Sequence, residues 1–202
     1  ESNDSATIAT DGTITWTGYS NDVTEKRSLQ QTIYTMSRQD ILTGLANRHS
    51  FFEILQNAIQ LAIRKQEQLA LMFIDLDHFK PVNDNFGHGM GDTLLSQVAK
   101  RLTEALRASD SICRYGGDEF LVLLPCVPDL QSVLNVASKI IAGIEKPFVL
   151  GEHRINISCS IGVALFPDHA EDADHLVTCA DKAMYQAKNS GGGQCMVFQP
   201  EA

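Results

Sequence analysis

The chain has 202 residues, of which 44% are hydrophobic, so it can bury one full core and still have length for an appendage. Its formal net charge of −9 argues against a nucleic-acid-binding surface, which needs clustered Lys and Arg. No apolar run approaches the roughly 18 residues that cross a bilayer, so we expect no direct membrane contact. The five cysteines are odd in number and widely spaced, which favours a cytoplasmic setting. A longer parent protein could still be membrane-anchored.

The polar N-terminal segment, residues 1–24, contains a turn signal at Asp11-Gly12 that is followed by Ile14 and Trp16 in alternation. This pattern predicts a hairpin strand. Residues 18–27 resemble the last strand and exit of a PAS sensor domain. A disordered polar end is the alternative interpretation, and the sequence does not decide between the two.

Residues 25–38 form the next segment, in which Leu29, Ile33 and Met36 recur at helical spacing. The pattern predicts a signalling helix that pairs two chains along a coiled-coil seam. The alternative is a short amphipathic helix that packs on its own domain.

Residues 39–202 are predicted to form one α+β domain, with a central antiparallel sheet covered by helices. The predicted helices span residues 47–66, 92–107, 129–144 and 173–189. The predicted strands span residues 69–74, 155–165 and 195–198, together with a hairpin around residues 114–124. Residues 79–91 are predicted to be a loop.

The hairpin carries the motif RYGGDEF at residues 114–120, directly before the apolar run at 121–124. Gly116 and Gly117 permit a tight turn with positive φ angles. Asp118 and Glu119 follow at the point where the strand begins. Such a turn presents negative charge at a sheet edge, which is costly unless a cation binds there.

Asp75 lies at the end of the predicted strand at residues 69–74. A carboxylate there, facing Asp118 and Glu119, would form an oxygen-ligand site suited to Mg²⁺ or Mn²⁺. Two unit charges about 4 Å apart interact by about 4 kcal/mol at an effective dielectric near 20, so these acids would repel a triphosphate without a bridging cation. Asp77, two residues further on, is predicted to be structural.

These segments resemble the GGDEF family of bacterial diguanylate cyclases. The matching segments are DILTGLANR (40–48), FIDLDHFK (73–80), NDNFGH (83–88) with Gly91-Asp92, RYGGDEF (114–120), SIGVA (160–164) and ADKAMYQAK (180–188). They cover about residues 39 to 199. The resemblance implies a ferredoxin-like, polymerase-palm-like βαββαβ core.

The resemblance also implies a role for several side chains. Asp75 and Asp118 match the metal ligands, and Glu119 is either a further ligand or the group that receives a proton from a ribose hydroxyl. Lys80 and Lys188 match positions that hold the β- and γ-phosphates.

Guanine recognition is implied for two further residues, Asn83 and Asp92. A carboxylate can accept hydrogen bonds from guanine N1–H and the 2-amino group together, which adenine does not offer. Alternatively, Asp92 caps the helix that it begins.

The chain departs from the family pattern after Gly191, where the family usually has Arg then Asn and this sequence has Gly192 and Gly193. One phosphate-binding guanidinium is therefore missing. Losing such a charge-assisted contact costs on the order of 1.5 to 3 kcal/mol of binding, so we expect weakened GTP affinity.

A second nucleotide site is implied by the tetrapeptide Arg107-Ala108-Ser109-Asp110. It resembles the family's inhibitory RxxD site, at which Arg107 and Asp110 would bind the product cyclic diguanylate. The alternative is an Arg that ends a helix and an Asp in a turn.

The sequence thus predicts a diguanylate cyclase that condenses two GTP molecules into cyclic diguanylate and two pyrophosphates across a homodimer with Mg²⁺. Asp118 and Glu119 would be catalytic. The first alternative is a weak or inactive nucleotide sensor that regulates a neighbouring domain. The second is a protein-interaction scaffold on the same fold.

Overall fold

The computed structural model describes residues 2–8, 10–20 and 38–200, and the chain divides into two units, Glu1–Ser37 and Arg38–Ala202. The first unit contains a hairpin of β1 (Ser2–Ile8) and β2 (Ile14–Ser20), which pair antiparallel. Its turn holds Gly12 at φ 86°, and the Thr13 N–H donates to Asp11 Oδ1 at 2.9 Å. The predicted turn at Asp11-Gly12 is confirmed. The predicted helix at residues 25–38 lies almost wholly outside the described residues.

The second unit is built on a six-stranded sheet. Its strands are β3 (Ala46–Asn47), β4 (Leu69–Asp77), β5 (Ser111–Gly116), β6 (Glu119–Leu124), β9 (Ser158–Phe166) and β10 (Cys195–Val197). A separate hairpin joins β7 (Phe148–Leu150) and β8 (His153–Ile155). The sheet order is β10-β9-β4-β6-β5-β3, and only the two outer pairs are parallel. The central four strands have the connectivity of a ferredoxin-like fold, which confirms the predicted fold class.

Five helices cover this sheet in the described part of the second unit. They are α1 (Arg48–Lys65), α2 (Phe79–Phe86), α3 (His88–Ala105), α4 (Leu130–Ile144) and α5 (Ala173–Asn189). Three of them begin at a side chain that accepts a backbone N–H in the first turn, namely Asn47, Asp129 and Asp172. None of the helices in the described ranges is long and apolar enough to cross a membrane.

Strand β4 lies at the centre of the sheet, and all nine of its residues are buried. Successive side chains of a strand point to opposite faces. Accordingly, Met72 and Ile74 pack in a core with α3 and α4, whereas Leu71 and Phe73 pack in a second core with α1 and α5. The same alternation directs Asp75 and Asp77 towards the face that carries α5.

The structure differs from the predicted secondary structure in three places. The predicted loop at residues 79–91 is largely helical, because α2 fills residues 79–86 and α3 begins at His88. The predicted strand at residues 155–165 is divided between β8 and β9. In addition, β7 completes a small hairpin that the pattern did not indicate.

Candidate active site

The ends of β4 and of the β5–β6 hairpin bring three acidic residues together. Asp75 lies directly opposite Glu119 in the antiparallel register of β4 and β6. The Leu76 N–H donates to the Asp118 carbonyl oxygen at 3.3 Å, which ties the turn to the end of β4. Gly117 has φ 51° and therefore supplies the left-handed backbone that the turn requires. The predicted proximity of Asp75 to the hairpin acids is thus present in the fold.

Lys188 supplies a positive charge to this cluster from the last turn of α5. Its Nζ lies 2.6 Å from Asp75 Oδ1. The Asp75 side chain is 10% exposed and the Lys188 side chain is 44% exposed, so the pair joins a buried acid to a base that solvent still reaches. The sequence placed both residues at a nucleotide site but did not predict that they contact each other.

The electrostatics of the cluster are dominated by negative charge. Burial raises the pKa of Asp75, and Asp118 and Asp77 raise it further against the opposing effect of Lys188. Burial also raises the pKa of Glu119, with additional contributions from Asp75 and Asp118. Because acids repel one another in a partly desolvated site, their charged forms are disfavoured without a cation.

The pKa of Lys188 responds to the same acids. Burial opposes its charged form, but the hydrogen bond and charge of Asp75, together with Asp118 and Asp77, raise the Lys188 pKa overall. An environment that raises the pKa of acids and of a base alike is electronegative. Such a site attracts a further cation.

The chemistry of the acids suits a divalent metal. Within the described ranges, no three His, Cys, Asp or Glu side chains form a ready metal cage. Mg²⁺, however, is usually bound by one or two carboxylates plus substrate phosphates. Asp75 and Asp118 could supply those carboxylates, because only one Asp75 oxygen is paired with Lys188. The donor set therefore fits Mg²⁺ or Mn²⁺.

The residues predicted to read the base lie on α2 and α3. The Asn83 Oδ1 atom is buried and has no hydrogen-bond partner. Gly91 leaves room for it, since a Cβ there would lie 1.9 Å from that oxygen. Asp92 and Lys80 are both exposed. The capping alternative for Asp92 is wrong, because α3 begins at His88 and Gly87 occupies its N-cap.

An ion pair that the sequence analysis missed supports the hairpin from the opposite side. The Arg114 guanidinium lies 3.2 Å from Asp40 Oδ2, and its Nε and Nη2 donate to the Gly117 carbonyl oxygen at 2.9 and 2.8 Å. Asp40 also accepts from the N–H and hydroxyl of Thr43. Burial alone would raise the pKa of Asp40, but these hydrogen bonds and the Arg114 charge lower it. The only sequence signal was the motif at residues 40–48, which gave no partner for Asp40.

The turn after α5, where the sequence departs from the family pattern, encloses the Asp77 carboxylate. The Gly193 N–H donates to Asp77 Oδ2 at 2.8 Å. A Cβ at Gly192, whose φ is 71°, would lie 3.0 Å from that carboxyl group. Position 192 therefore has little space for a side chain directed at Asp77, as well as a backbone that favours glycine.

Arg107 and Asp110 lie at the other end of β5 from the acidic hairpin turn. The Arg107 N–H donates to Asp110 Oδ2 at 2.9 Å, and the Asp110 N–H returns a bond to the Arg107 carbonyl at 3.0 Å. Both residues line a cleft of about 240 Å³ that the loop around Cys126 and the start of α4 complete. Arg107 and Asp110 thus form a hydrogen-bonded turn, and the cleft beside it has space for a ligand.

Together, the sheet order and the helices that cover the sheet define an α+β domain of the ferredoxin-like class. The chain belongs to the family described as "Diguanylate cyclase, GGDEF domain", whose model matches residues 37–194. The family generally uses a divalent metal, which agrees with the acidic edge.

Several relatives are similar to this chain. The cyclic di-GMP phosphodiesterase PdeR of Escherichia coli is 39% identical over 181 residues, which are 89% of this chain and 27% of PdeR. The bifunctional diguanylate cyclase/cyclic di-GMP phosphodiesterase MucR of Pseudomonas aeruginosa is 42% identical over 161 residues, which are 79% of this chain and 23% of MucR. The chain thus spans about a quarter of the length of these two relatives.

Solved structures agree with this assignment. The crystal structure of the GGDEF domain of TpbB from Pseudomonas aeruginosa has a TM-score of 0.77 and 41% identity, covering 79% of this chain and 99% of that one. The coiled coil and GGDEF domain of DgcB from Caulobacter crescentus, solved with c-di-GMP, has a TM-score of 0.79 and 26% identity. That match covers 87% of this chain and 93% of DgcB's.

Proposed function

We propose that this chain is a diguanylate cyclase that converts two GTP molecules into cyclic di-GMP and two pyrophosphates. The observation that carries the proposal is the acidic edge of Asp75, Asp118 and Glu119, with Lys188 in contact with Asp75. A scaffold would not need these groups to coexist. Family membership and relatives named as diguanylate cyclases support the same activity.

In each of two transfers, the 3′-hydroxyl oxygen of one GTP forms a bond to the α-phosphorus of the other. The bond from that phosphorus to the bridging oxygen breaks, and pyrophosphate leaves with the bonding electrons. Each chain holds one GTP, so the active unit is a homodimer that presents two nucleotides to each other. Holding both reactants in this geometry lowers the entropic part of the barrier.

Glu119 or Asp118 accepts the hydroxyl proton. Glu119 lies directly opposite Asp75 in the strand register, so its carboxylate is held at the same edge as the proposed metal ligands. A bound Mg²⁺ would neutralise charge on the attacked phosphate and on the leaving pyrophosphate. Lys188 and Lys80 steady the β- and γ-phosphates.

Asn83 and Asp92 select guanine. The exposed Asp92 carboxylate accepts from N1–H and the 2-amino group, and the Asn83 carboxamide contacts the same base. Adenine presents no such donor pair, so a site built on this carboxylate rejects ATP.

Product inhibition is proposed at Arg107 and Asp110. Their cleft of about 240 Å³ is separate from the acidic edge, and Arg107 is exposed there. The guanidinium would bind guanine or phosphate, and the carboxylate would accept from a guanine edge. Binding of cyclic di-GMP there would lower turnover.

Residues 1–24 are proposed to be the end of a PAS domain and residues 25–38 a signalling helix, with the cyclase domain at 39–202. A cytoplasmic location suits the cyclase reaction, because GTP is its substrate. The upstream segments would then transmit a signal to the paired cyclase domains.

A catalytically weak nucleotide sensor is the second candidate function. Gly192 and Gly193 replace the usual Arg and Asn, and the related PdeR is named as a phosphodiesterase. A sensor domain would bind nucleotide and pass its occupancy to a neighbouring domain without turnover.

Incubating the chain with GTP and Mg²⁺, followed by chromatographic detection of cyclic di-GMP and pyrophosphate, separates these functions. The cyclase forms both products in a 1:2 ratio. A sensor binds GTP or cyclic di-GMP in calorimetry without forming product. A scaffold binds neither nucleotide.

A further inference from the structure

The second acid of β4, Asp77, is 5% exposed and accepts three hydrogen bonds. Ser160 Oγ donates to its Oδ1 at 2.8 Å. Ser158 Oγ and the Gly193 N–H donate to its Oδ2 at 2.7 and 2.8 Å. These three donors satisfy both oxygens of a carboxyl group that is almost wholly removed from water.

The Gly193 end of this network is continuous with the end of α5. The Gly192 N–H donates to the Ala187 carbonyl at 3.2 Å, and the Gly191 N–H donates to the Lys188 carbonyl at 3.3 Å. The turn thereby satisfies the last carbonyls of the helix that carries Lys188. Asp77 holds this turn on one side, while Lys188 contacts Asp75 only two residues away on the same strand.

The backbone at Gly192 also leaves little room for a side chain against Asp77. An added Cβ there would lie 3.0 to 3.1 Å from all three atoms of the Asp77 carboxyl group. The backbone of residues 192 and 193 therefore packs directly against the Asp77 carboxyl group. In this chain, the segment where the family usually places a phosphate-binding Arg is organised around the Asp77 carboxyl group.

We propose that Asp77 is a positioning residue for nucleotide binding, which acts by anchoring the turn at residues 191–193 and so fixing Lys188 beside Asp75. This inference rests on the proposed role of Lys188 in binding GTP phosphates. Asp77 itself does not contact the nucleotide. Its removal leaves the Gly193 N–H without its acceptor and frees the end of α5.

The test compares Asp77→Ala, Asp77→Asn and the matched control Ser160→Ala in the full chain. Asp77→Ala removes the anchor. Asp77→Asn keeps the shape but loses the charge that strengthens the Gly193 hydrogen bond. Ser160→Ala removes one donor to the other oxygen, Oδ1, and leaves the Gly193 contact intact.

Three measurements are made on each variant at a temperature where circular dichroism shows it folded. Hydrogen exchange followed by mass spectrometry reports the opening of the turn. Calorimetry with a non-hydrolysable GTP analogue and Mg²⁺ reports affinity, and steady-state kinetics with GTP separates KM from kcat.

We expect Asp77→Ala to speed exchange of the turn amides and to weaken analogue binding, each by about 10-fold, which corresponds to about 1.4 kcal/mol. Asp77→Asn should be intermediate, and Ser160→Ala should stay within about 2-fold of the wild type. KM should rise more than kcat falls.

Unchanged turn exchange or unchanged analogue affinity in folded Asp77→Ala overturns the proposal, as does an equal effect of Ser160→Ala. A failure of the proposed cyclase activity is distinguishable. In that case the wild type forms no cyclic di-GMP, while the turn exchange and analogue affinity still respond to Asp77.

Discussion

The two sides of the β5–β6 hairpin differ in how their charged side chains are paired. On one side, Arg114 is paired with Asp40, and the pKa of Asp40 is lowered by its partners despite burial. On the other side, Asp75 and Glu119 have raised pKa values because burial and like charges outweigh Lys188. The side with Arg114 and Asp40, whose charges are paired, is called the satisfied side, and it stabilises the turn. The side with Asp75 and Glu119, where negative charge is in excess, is called the unsatisfied side, and it attracts cations.

Asp75→Asn should have the largest effect on the unsatisfied side. Removing this charge takes away a proposed metal ligand and the partner of Lys188, so we expect cyclic di-GMP formation to fall by about 10³-fold or more. The initial rate at saturating GTP and Mg²⁺ measures this. Asp174→Asn, a matched change at an exposed site in the first turn of α5, should leave the rate unchanged. Equal rates in the Asp75 variant and the wild type would contradict the assignment.

Asp40→Asn should act on the satisfied side by lowering stability. We expect a loss of about 2 kcal/mol in the free energy of unfolding at pH 7, because a partly buried charge-assisted network is broken. Urea unfolding followed by far-ultraviolet circular dichroism measures this loss. Tryptophan fluorescence does not suit it, because the single tryptophan, Trp16, lies in the first unit.

The stability difference between the wild type and Asp40→Asn should also depend on pH. The folded-state pKa of Asp40 is lowered from 3.8, so its stabilisation is present above that value and is lost as pH falls through the folded-state pKa. The difference between wild type and Asp40→Asn should therefore shrink on acidification below about pH 4. A difference that is constant from pH 7 down to pH 3 would show that the Asp40 charge is not responsible.

Arg107→Ala tests whether the second cleft is independent of the acidic edge. We expect the cyclic di-GMP concentration that halves the rate to rise by about 10-fold, through loss of a charge-assisted contact. Uninhibited turnover should be retained, because Arg107 lies at the far end of β5. Arg64→Ala, at the exposed end of α1, is the control and should not alter inhibition. If both variants are inhibited like the wild type, Arg107 does not bind the product.

Gly192→Arg should have the smallest effect and must be compared with Gly192→Ala. Both variants carry the same backbone strain and the same Cβ beside Asp77, so their difference isolates the guanidinium. We expect the Arg variant to bind GTP about 5-fold more tightly than the Ala variant, or by about 1 kcal/mol. This gain is smaller than the roughly 1.5 to 3 kcal/mol of a well-formed charge-assisted contact, because position 192 has little space beside Asp77. Calorimetry with the GTP analogue measures this. Equal affinities would mean that the missing Arg does not weaken binding.

Much of this architecture is predictable from local pattern. The buried strand β4, the tight turn at Gly117 and the long helices follow from periodicity and turn chemistry, and Asp75 could be placed opposite the hairpin acids. The predicted positive φ is present at Gly117 only, because Gly116 is the last residue of β5. The Asp40–Arg114 pair and the Asp77–Gly193 bond join residues 74 and 116 positions apart. No local pattern encodes such contacts, because they depend on how distant elements pack. Helix α2 was missed because its eight residues mix polar and apolar types between glycine-rich and strand-like segments.

Mn²⁺ binding, measured by electron paramagnetic resonance in the presence of a non-hydrolysable GTP analogue, tests most directly whether the acids of two chain segments share one cation. We expect the wild type to bind Mn²⁺, and Asp118→Ala and Asp75→Asn each to weaken this binding by about 10-fold or more. Wild-type Mn²⁺ affinity in both variants, with the analogue still bound, would contradict this expectation.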